Sequence, residues 1–179
     1  MLDSGAYSAW SRGQPIDLDQ YIAYIHTNAE HLDYYVALDV IPGSFGTRPT
    51  PAQVEESAAA SWNNLLYMQA HGLSPIPVFH MHEHFKWLRK MIDHGCDYIG
   101  ISPANDCTTH QKRMWLDKVF DFICDADGWP CIKTHAFGMT ALPLLTRYPW
   151  YSADSVTWIT FSGARWCARA ALGWGGLDL

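Results

Sequence analysis

A chain of 179 residues, 49% apolar and 17% charged, is long enough to bury one sizeable core and reads as a single domain over 1–179. Its formal charge of −6 supplies no general basic footprint for nucleic acid, and no apolar run is long enough to cross a bilayer. Five cysteines (Cys96, Cys107, Cys124, Cys131 and Cys167) form no Cys-x2-Cys pair, so they read as scattered reduced thiols of a soluble cytoplasmic protein, with neither a disulfide framework nor a metal site.

The chain opens on a strand-like Leu2, with Asp3, Ser4 and Gly5 at its end. Asp17 and Gln20 have capping-box spacing, which predicts a helix carrying Tyr21, Ile22 and Ile25 on one side and ending near His31. Residues 34–39 read as a short buried strand ended by Asp39, and the Gly- and Pro-rich stretch 41–49 is a loop leaving that end. Thr50, Pro51 and Gln53 combine an N-cap, a first-turn proline and a capping-box glutamine, so a helix should run to about His71. A strand over 75–80 ends in His80. Phe85, Leu88, Met91 and Ile92 then recur at helical spacing before Gly95.

Residues 98–102 read as a strand in which Gly100 permits close backbone approach and Ser102 ends the run. A helix over about 109–126, a strand over 130–135 ending in His135, a short helix near 142–146 and a strand over 148–154 ending in Asp154 follow. A last helix is expected over about 161–172. Six alternating strand and helix units predict an α/β protein with a parallel sheet and helical crossovers. A (β/α) barrel ordinarily has eight units, so the expectation is an incomplete or shortened barrel whose open edges a second subunit, in a homo-oligomer, would cover.

Ligands of parallel α/β folds bind beyond the C-terminal ends of the strands, which gathers Asp3, Asp39, His80, Ser102, His135 and Asp154 into one candidate cleft. Two carboxylates can divide the work at a glycosidic carbon: one attacks it or stabilises its positive charge while the other handles a proton. A third, as an acceptor, suits the N–H edge of a purine. The alternative reading is separate caps, loop contacts and surface charge. His80, His82 and His84 lack the helical placement of a zinc hydrolase signature, and His80 is read as a hydrogen-bonding group.

Lys133 and His135 alternate so as to share a side of their strand. No acyl-transfer elbow around a serine and no Gly-rich phosphate cradle is present, which places nicotinamide and nucleoside-triphosphate chemistry below glycosidic-bond chemistry. Lys86, Arg89 and Lys90, Lys112 with Arg113, and Arg165 with Arg169 form basic groups that either contact phosphates or solvate helix faces. Trp150, Tyr151 and Trp158 either stack on a displaced base or wedge the last strand into the core.

In order along the chain, Asp3-Ser4-Gly5-Ala6, Leu38-Asp39, Pro77-Val78-Phe79-His80, Tyr98-Ile99-Gly100-Ile101-Ser102, His135-Ala136-Phe137-Gly138 and Asp154-Ser155 resemble the landmarks of tRNA-guanine transglycosylases, and most closely their shortened phage and DNA-modification relatives. The resemblance implies a (β/α) barrel that exchanges guanine for a 7-deazaguanine base, without a cofactor, in DNA somewhat ahead of tRNA. It implies that Asp154 attacks the ribose anomeric carbon, that Asp3 handles the base's proton and that Asp39 reads its N–H edge. Ser4, Gly5, His80, Gly100, Ser102, His135 and Gly138 are the other substrate-binding positions it implies. His80 stands where the tRNA enzymes carry an amide side chain, and Cys167 stands alone where they carry a zinc-binding cysteine cluster. The competing readings are a base glycosidase, in which water replaces the incoming base, and a noncatalytic barrel-derived binding or assembly protein.

Overall fold

The computed structural model describes residues 1–154. Ser155, Trp158, Cys167, and the expected helix at 161–172 with Arg165 and Arg169 lie outside the described residues.

The chain enters through a bridge at Leu2 and then turns at Gly5, whose φ of 72° suits glycine, into α1 (Ala6–Ser11). Sequence periodicity does not reveal this helix because six residues are fewer than two turns. Helix α2 (Leu18–Thr27) starts where expected, with the Asp17 carboxylate accepting from Gln20 N, and a 3-10 turn (Ala29–His31) carries the chain onward. The long α3 (Pro51–Ala70) has the full Thr50/Gln53 capping box.

From there strand and helix alternate: β1 (Val78–His80), α4 (Phe85–Asp93), β2 (Tyr98–Ser102), α5 (Thr109–Ile123), β3 (Lys133–Ala136), α6 (Leu142–Arg147) and β4 (Ser152–Ala153). Helix α5 stops short of the expected 126. Beyond Ile123 the chain folds back, as Cys124 bridges Pro130 and the Asp125 carboxylate accepts from the N–H groups of Asp127 and Trp129.

The four strands are parallel and lie in chain order, β1-β2-β3-β4. Gly100 pairs in register with Val78 on one side and His135 on the other, and His135 pairs with Ser152. Two shorter segments continue this order at the β1 edge. Ile76 N donates to Tyr35 O at 2.9 Å, and Ala37 N to Ile76 O at 2.8 Å. Leu2 N donates to Tyr34 O at 2.8 Å, and Val36 N to Leu2 O at 3.0 Å.

The expected strand at 34–39 is therefore a pair of bridges at Tyr35 and Val36, and the expected strand at 148–154 contracts to β4. Pro149 has no N–H to donate, and Trp150 N turns back to Tyr148 O. The expected strand at 75–80 narrows to β1: Ile76 holds an isolated bridge to Val36, and Pro77, which accepts from Gly100 N but has no N–H to return to β2, separates it from Val78.

Aromatic contacts show that this parallel surface curls. Tyr34 and the start of β4 are four strand positions apart, about 19 Å across a flat sheet at roughly 4.8 Å per strand. Yet the Tyr34 ring meets Tyr98 at 5.4 Å, Tyr98 meets Tyr151 at 5.3 Å, and the Tyr34 and Tyr151 phenols interact directly. Tyr98, Gly100 and Ser102 alternate with Ile99 and Ile101, which are fully buried. Phe79 likewise points away from the aromatic floor, stacking on Trp115 of α5 at 5.8 Å and meeting Phe85 of α4 edge-on at 5.5 Å. Among the described residues, no helix is long and apolar enough to cross a membrane.

Candidate active site

A cavity of about 370 Å³ opens over the curled face, bordered by Asp3, Tyr34, Tyr98, His135, Phe137 and Asp154. That volume lies near the lower end of the roughly 300–1,000 Å³ of small-molecule sites. Three of the expected site residues, Asp3, His135 and Asp154, thus meet at one opening, although they come from opposite ends of the described chain.

Asp154 follows β4 and is anchored at both backbone and side chain. Its N–H donates to Ala136 O at 3.1 Å, and its Oδ1 accepts from Gly138 N at 3.1 Å. The expected Gly138 thereby touches the nucleophile candidate through its backbone, from a left-handed turn with φ of 58°. His135 is buried beneath it, with Nδ1 bonded to the Ser152 hydroxyl, which also meets the Tyr98 phenol. Its Nε2 stands 3.6 Å from Asp154 Oδ1, too long for a hydrogen bond, and has no hydrogen-bond partner.

Burial pushes the Asp154 pKa up, but His135 and the Gly138 N–H outweigh it and hold the carboxyl below the usual aspartate range. Asp3 moves the opposite way. Water reaches it through the cavity, but the surrounding protein strips part of its hydration, and the charges of Asp39 and Asp154 add to the rise. The backbone N–H groups of Gly5 and Ser4 offset only part of this. One carboxylate is therefore favoured as an anion and the other is biased toward holding a proton.

The remaining expected residues do not line this cavity. Asp39, expected in the same cleft, belongs to a separate chain of hydrogen bonds: its Oδ1 accepts from the Ser4 hydroxyl and its Oδ2 lies against His80 Nε2, each at 2.9 Å. His80 Nδ1 meets Glu83 Oε1 at 3.1 Å, and Glu83 Oε2 is buried without a hydrogen-bond partner. Burial disfavours the imidazolium, yet hydrogen bonds to Asp39 and Glu83 and the charges of both raise the His80 pKa to about 10. Burial likewise opposes ionisation of Asp39, and His80 with Ser4 more than compensates, so its pKa is lowered. With both oxygens turned to protein groups, Asp39 is not presented to a base edge.

Ser4 acts inside this network, also accepting from Ala6 N at 3.2 Å, and Gly5 supplies the turn behind it. Ser102 pairs in register with His80, and its carbonyl accepts from Met81 N at 2.9 Å. The close approach expected at Gly100 occurs, but the group that approaches is a protein ring: a Cβ there would lie 2.2 Å from Phe137 Cε2.

Sequence reasoning missed Tyr34, Tyr98 and Phe137 as cavity walls. Tyr98 was detectable, since it shares strand parity with Gly100 and Ser102. The basic group on α4 is occupied by protein contacts: Lys86 pairs with Glu55, Arg89 covers Phe122 at 4.5 Å, and Lys90 lies over Trp62 at 4.4 Å and Trp87 at 4.9 Å. Trp150 serves as a wedge, its Nε1 donating to Leu144 O and its ring edge-on to Phe120, while Tyr151 reaches the cavity. Among the described residues, His82, Asp106 and Cys107 form a trio with metal-ligand chemistry, assembled from the loops after β1 and β2. Compared with protein families, curated proteins and solved structures, the chain matches none.

Proposed function

We propose that this chain is a guanine-transglycosylase-like glycosyltransferase on a shortened (β/α) barrel, exchanging guanine for a 7-deazaguanine-type base in a polynucleotide, with DNA ahead of tRNA. The observation that carries the reading is the pair Asp3 and Asp154, which face one cavity with pKa values displaced in opposite directions. Asp154, ionised, attacks the anomeric carbon as the bond to guanine breaks, and Asp3 delivers a proton to the departing base. The incoming base loses a proton to Asp3, its nitrogen attacks the same carbon, and the bond to Asp154 breaks to restore the carboxylate. Tyr34, Tyr98 and Phe137 offer flat faces beside this chemistry. Asp39 acts in this scheme through Ser4, holding the segment that carries Asp3.

The barrel assignment is supported by six parallel segments in unbroken chain order on a curled surface, where an open doubly wound sheet would reverse its order. The test supplies DNA and tRNA carrying labelled guanine, with and without a free deazapurine. Label should leave the polynucleotide in step with deazapurine incorporation, and Asp154→Asn should abolish this without unfolding the protein. Guanine release that leaves abasic sites would establish a glycosidase instead. Neither exchange nor release on either polymer by the folded protein would reject the enzymatic reading. A noncatalytic binding protein would then stand, a reading that the engagement of both Asp39 oxygens favours.

A further inference from the structure

His82, Asp106 and Cys107 lie far from one another in type and come from two different crossover loops, yet one ligand atom of each falls within 4.8 Å of the others. An imidazole nitrogen, a carboxylate oxygen and a thiolate are the donor types that zinc accepts together. Bonds of about 2.0–2.3 Å in a tetrahedron set neighbouring donors roughly 3.4–3.7 Å apart, so the loops need tighten by only about 1 Å. His82 and Asp106 are exposed and Cys107 half-buried, which leaves the side chains free to make that adjustment and leaves room for water at the fourth position. A thiolate and a carboxylate together balance a dication.

The backbone at His82 adds a separate observation. Among the described residues it is the one non-glycine with positive φ, at 83°. Glycine adopts that conformation without cost, whereas a histidine there is strained, and strain of this kind persists where the surroundings or a function hold it. From this turn a ring nitrogen of His82 comes within 4.8 Å of the ligand atoms of Asp106 and Cys107 in the β2–α5 loop, where Cys107 directly precedes the Thr108 cap of α5.

We propose that His82, Asp106 and Cys107 form a three-ligand zinc site, with water in the fourth position, that clamps the loop after β1 to the loop after β2. The site stands independently of the base-exchange reading. It borders the His80 network through the short turn that contains both His80 and His82.

The test is a titration of metal-stripped full-length protein with Zn²⁺, followed by Co²⁺ as a spectroscopic probe. One equivalent of zinc should bind, and cobalt should show a thiolate charge-transfer band. Cys107→Ser should remove the band and weaken zinc by at least the roughly hundredfold that loss of even a supporting partner can cost. His82→Gly should weaken zinc similarly while raising the melting temperature of the metal-free protein, because it relieves the left-handed backbone. Cys131→Ser, at an exposed thiol elsewhere, should change neither. No zinc uptake by the wild type, or equal uptake and an intact cobalt band in Cys107→Ser, would overturn the proposal.

Discussion

Replacing Gly100 by alanine places a methyl group where the ring of Phe137 already stands. The new Cβ would lie 2.2 Å from Cε2 and 2.8 Å from Cδ2 of that ring, and 3.4 Å from Val78 Cγ2. Non-bonded carbons sit comfortably at about 3.5–4.0 Å, so the ring must retreat by more than about 1 Å. It is the far end of a side chain and borders the 370 Å³ cavity, so it can swing into open space without prising the strands apart. Its contact with the His135 ring, 4.5 Å between centroids, resists that swing. The stability loss therefore belongs at the lower end of overpacking, about 1–1.5 kcal/mol, or about 2–6 °C in melting temperature for a chain of this size.

Function should suffer more, because the displaced ring occupies the volume that a planar ligand needs. A loss of about tenfold in base binding or exchange corresponds to only about 1.4 kcal/mol. Melting followed by circular dichroism and a base-exchange assay measure the two effects. Adding Phe137→Ala to Gly100→Ala should recover the volume, at the separate cost of an emptied wall. A Gly100→Ala protein with unchanged melting and unchanged exchange would show that the ring does not cover Gly100 in solution.

Asp3→Asn should retain base binding but lose exchange by about 10²–10⁴-fold, the usual contribution of a positioned acid or base, and full exchange in the variant would remove Asp3 from the mechanism. The raised His80 pKa makes a pH prediction. An imidazole held at about 10 when folded, against about 6.5 when unfolded, contributes stability that is complete below about pH 6.5 and is lost as the pH climbs through 10. The stability difference between wild type and His80→Gln should therefore shrink across that interval, and a constant difference in denaturant titrations would contradict the network. Lys90→Ala should cost about 0.5–1 kcal/mol through lost contacts with Trp62 and Trp87 and leave the salt dependence of nucleic-acid binding unchanged. A reduced salt slope would restore α4 as a phosphate-contacting face.

The helices were legible because their caps are local chemistry. Thr50 with Gln53 and Asp17 with Gln20 act within four residues, and the structure places both where the spacing predicts. The strand ends were legible as acids and histidines closing apolar runs, and three of the six residues so gathered, Asp3, His135 and Asp154, border one cavity. Strand length was not, because pairing depends on partners distant in sequence, and prolines at 77 and 149 interrupt runs whose composition favours strands. Asp39 illustrates a different limit. Its place at a strand end could be read, but its two oxygens are claimed by Ser4 and His80, and which neighbour captures a buried carboxylate is decided only by tertiary geometry. The zinc-ligand trio was hidden for the same reason: His82 and Cys107 belong to no spaced motif, and only adjacent crossover loops bring them together.

The two acids at the cavity come from the first and last strand-like segments of the described chain, and this orders events during biosynthesis. A polypeptide leaving the ribosome N-terminus first can assemble Asp3, the Asp39–His80 network and the aromatic walls Tyr34 and Tyr98 while Asp154 is still untranslated. Contacts of such long sequence separation also form late in refolding, since loop closure must precede them. Ribosomes stalled before β4 would accordingly carry a nascent chain that lacks Asp154 and leaves β3 as an unpaired edge, a species exposed to edge-pairing with its neighbours on the same message.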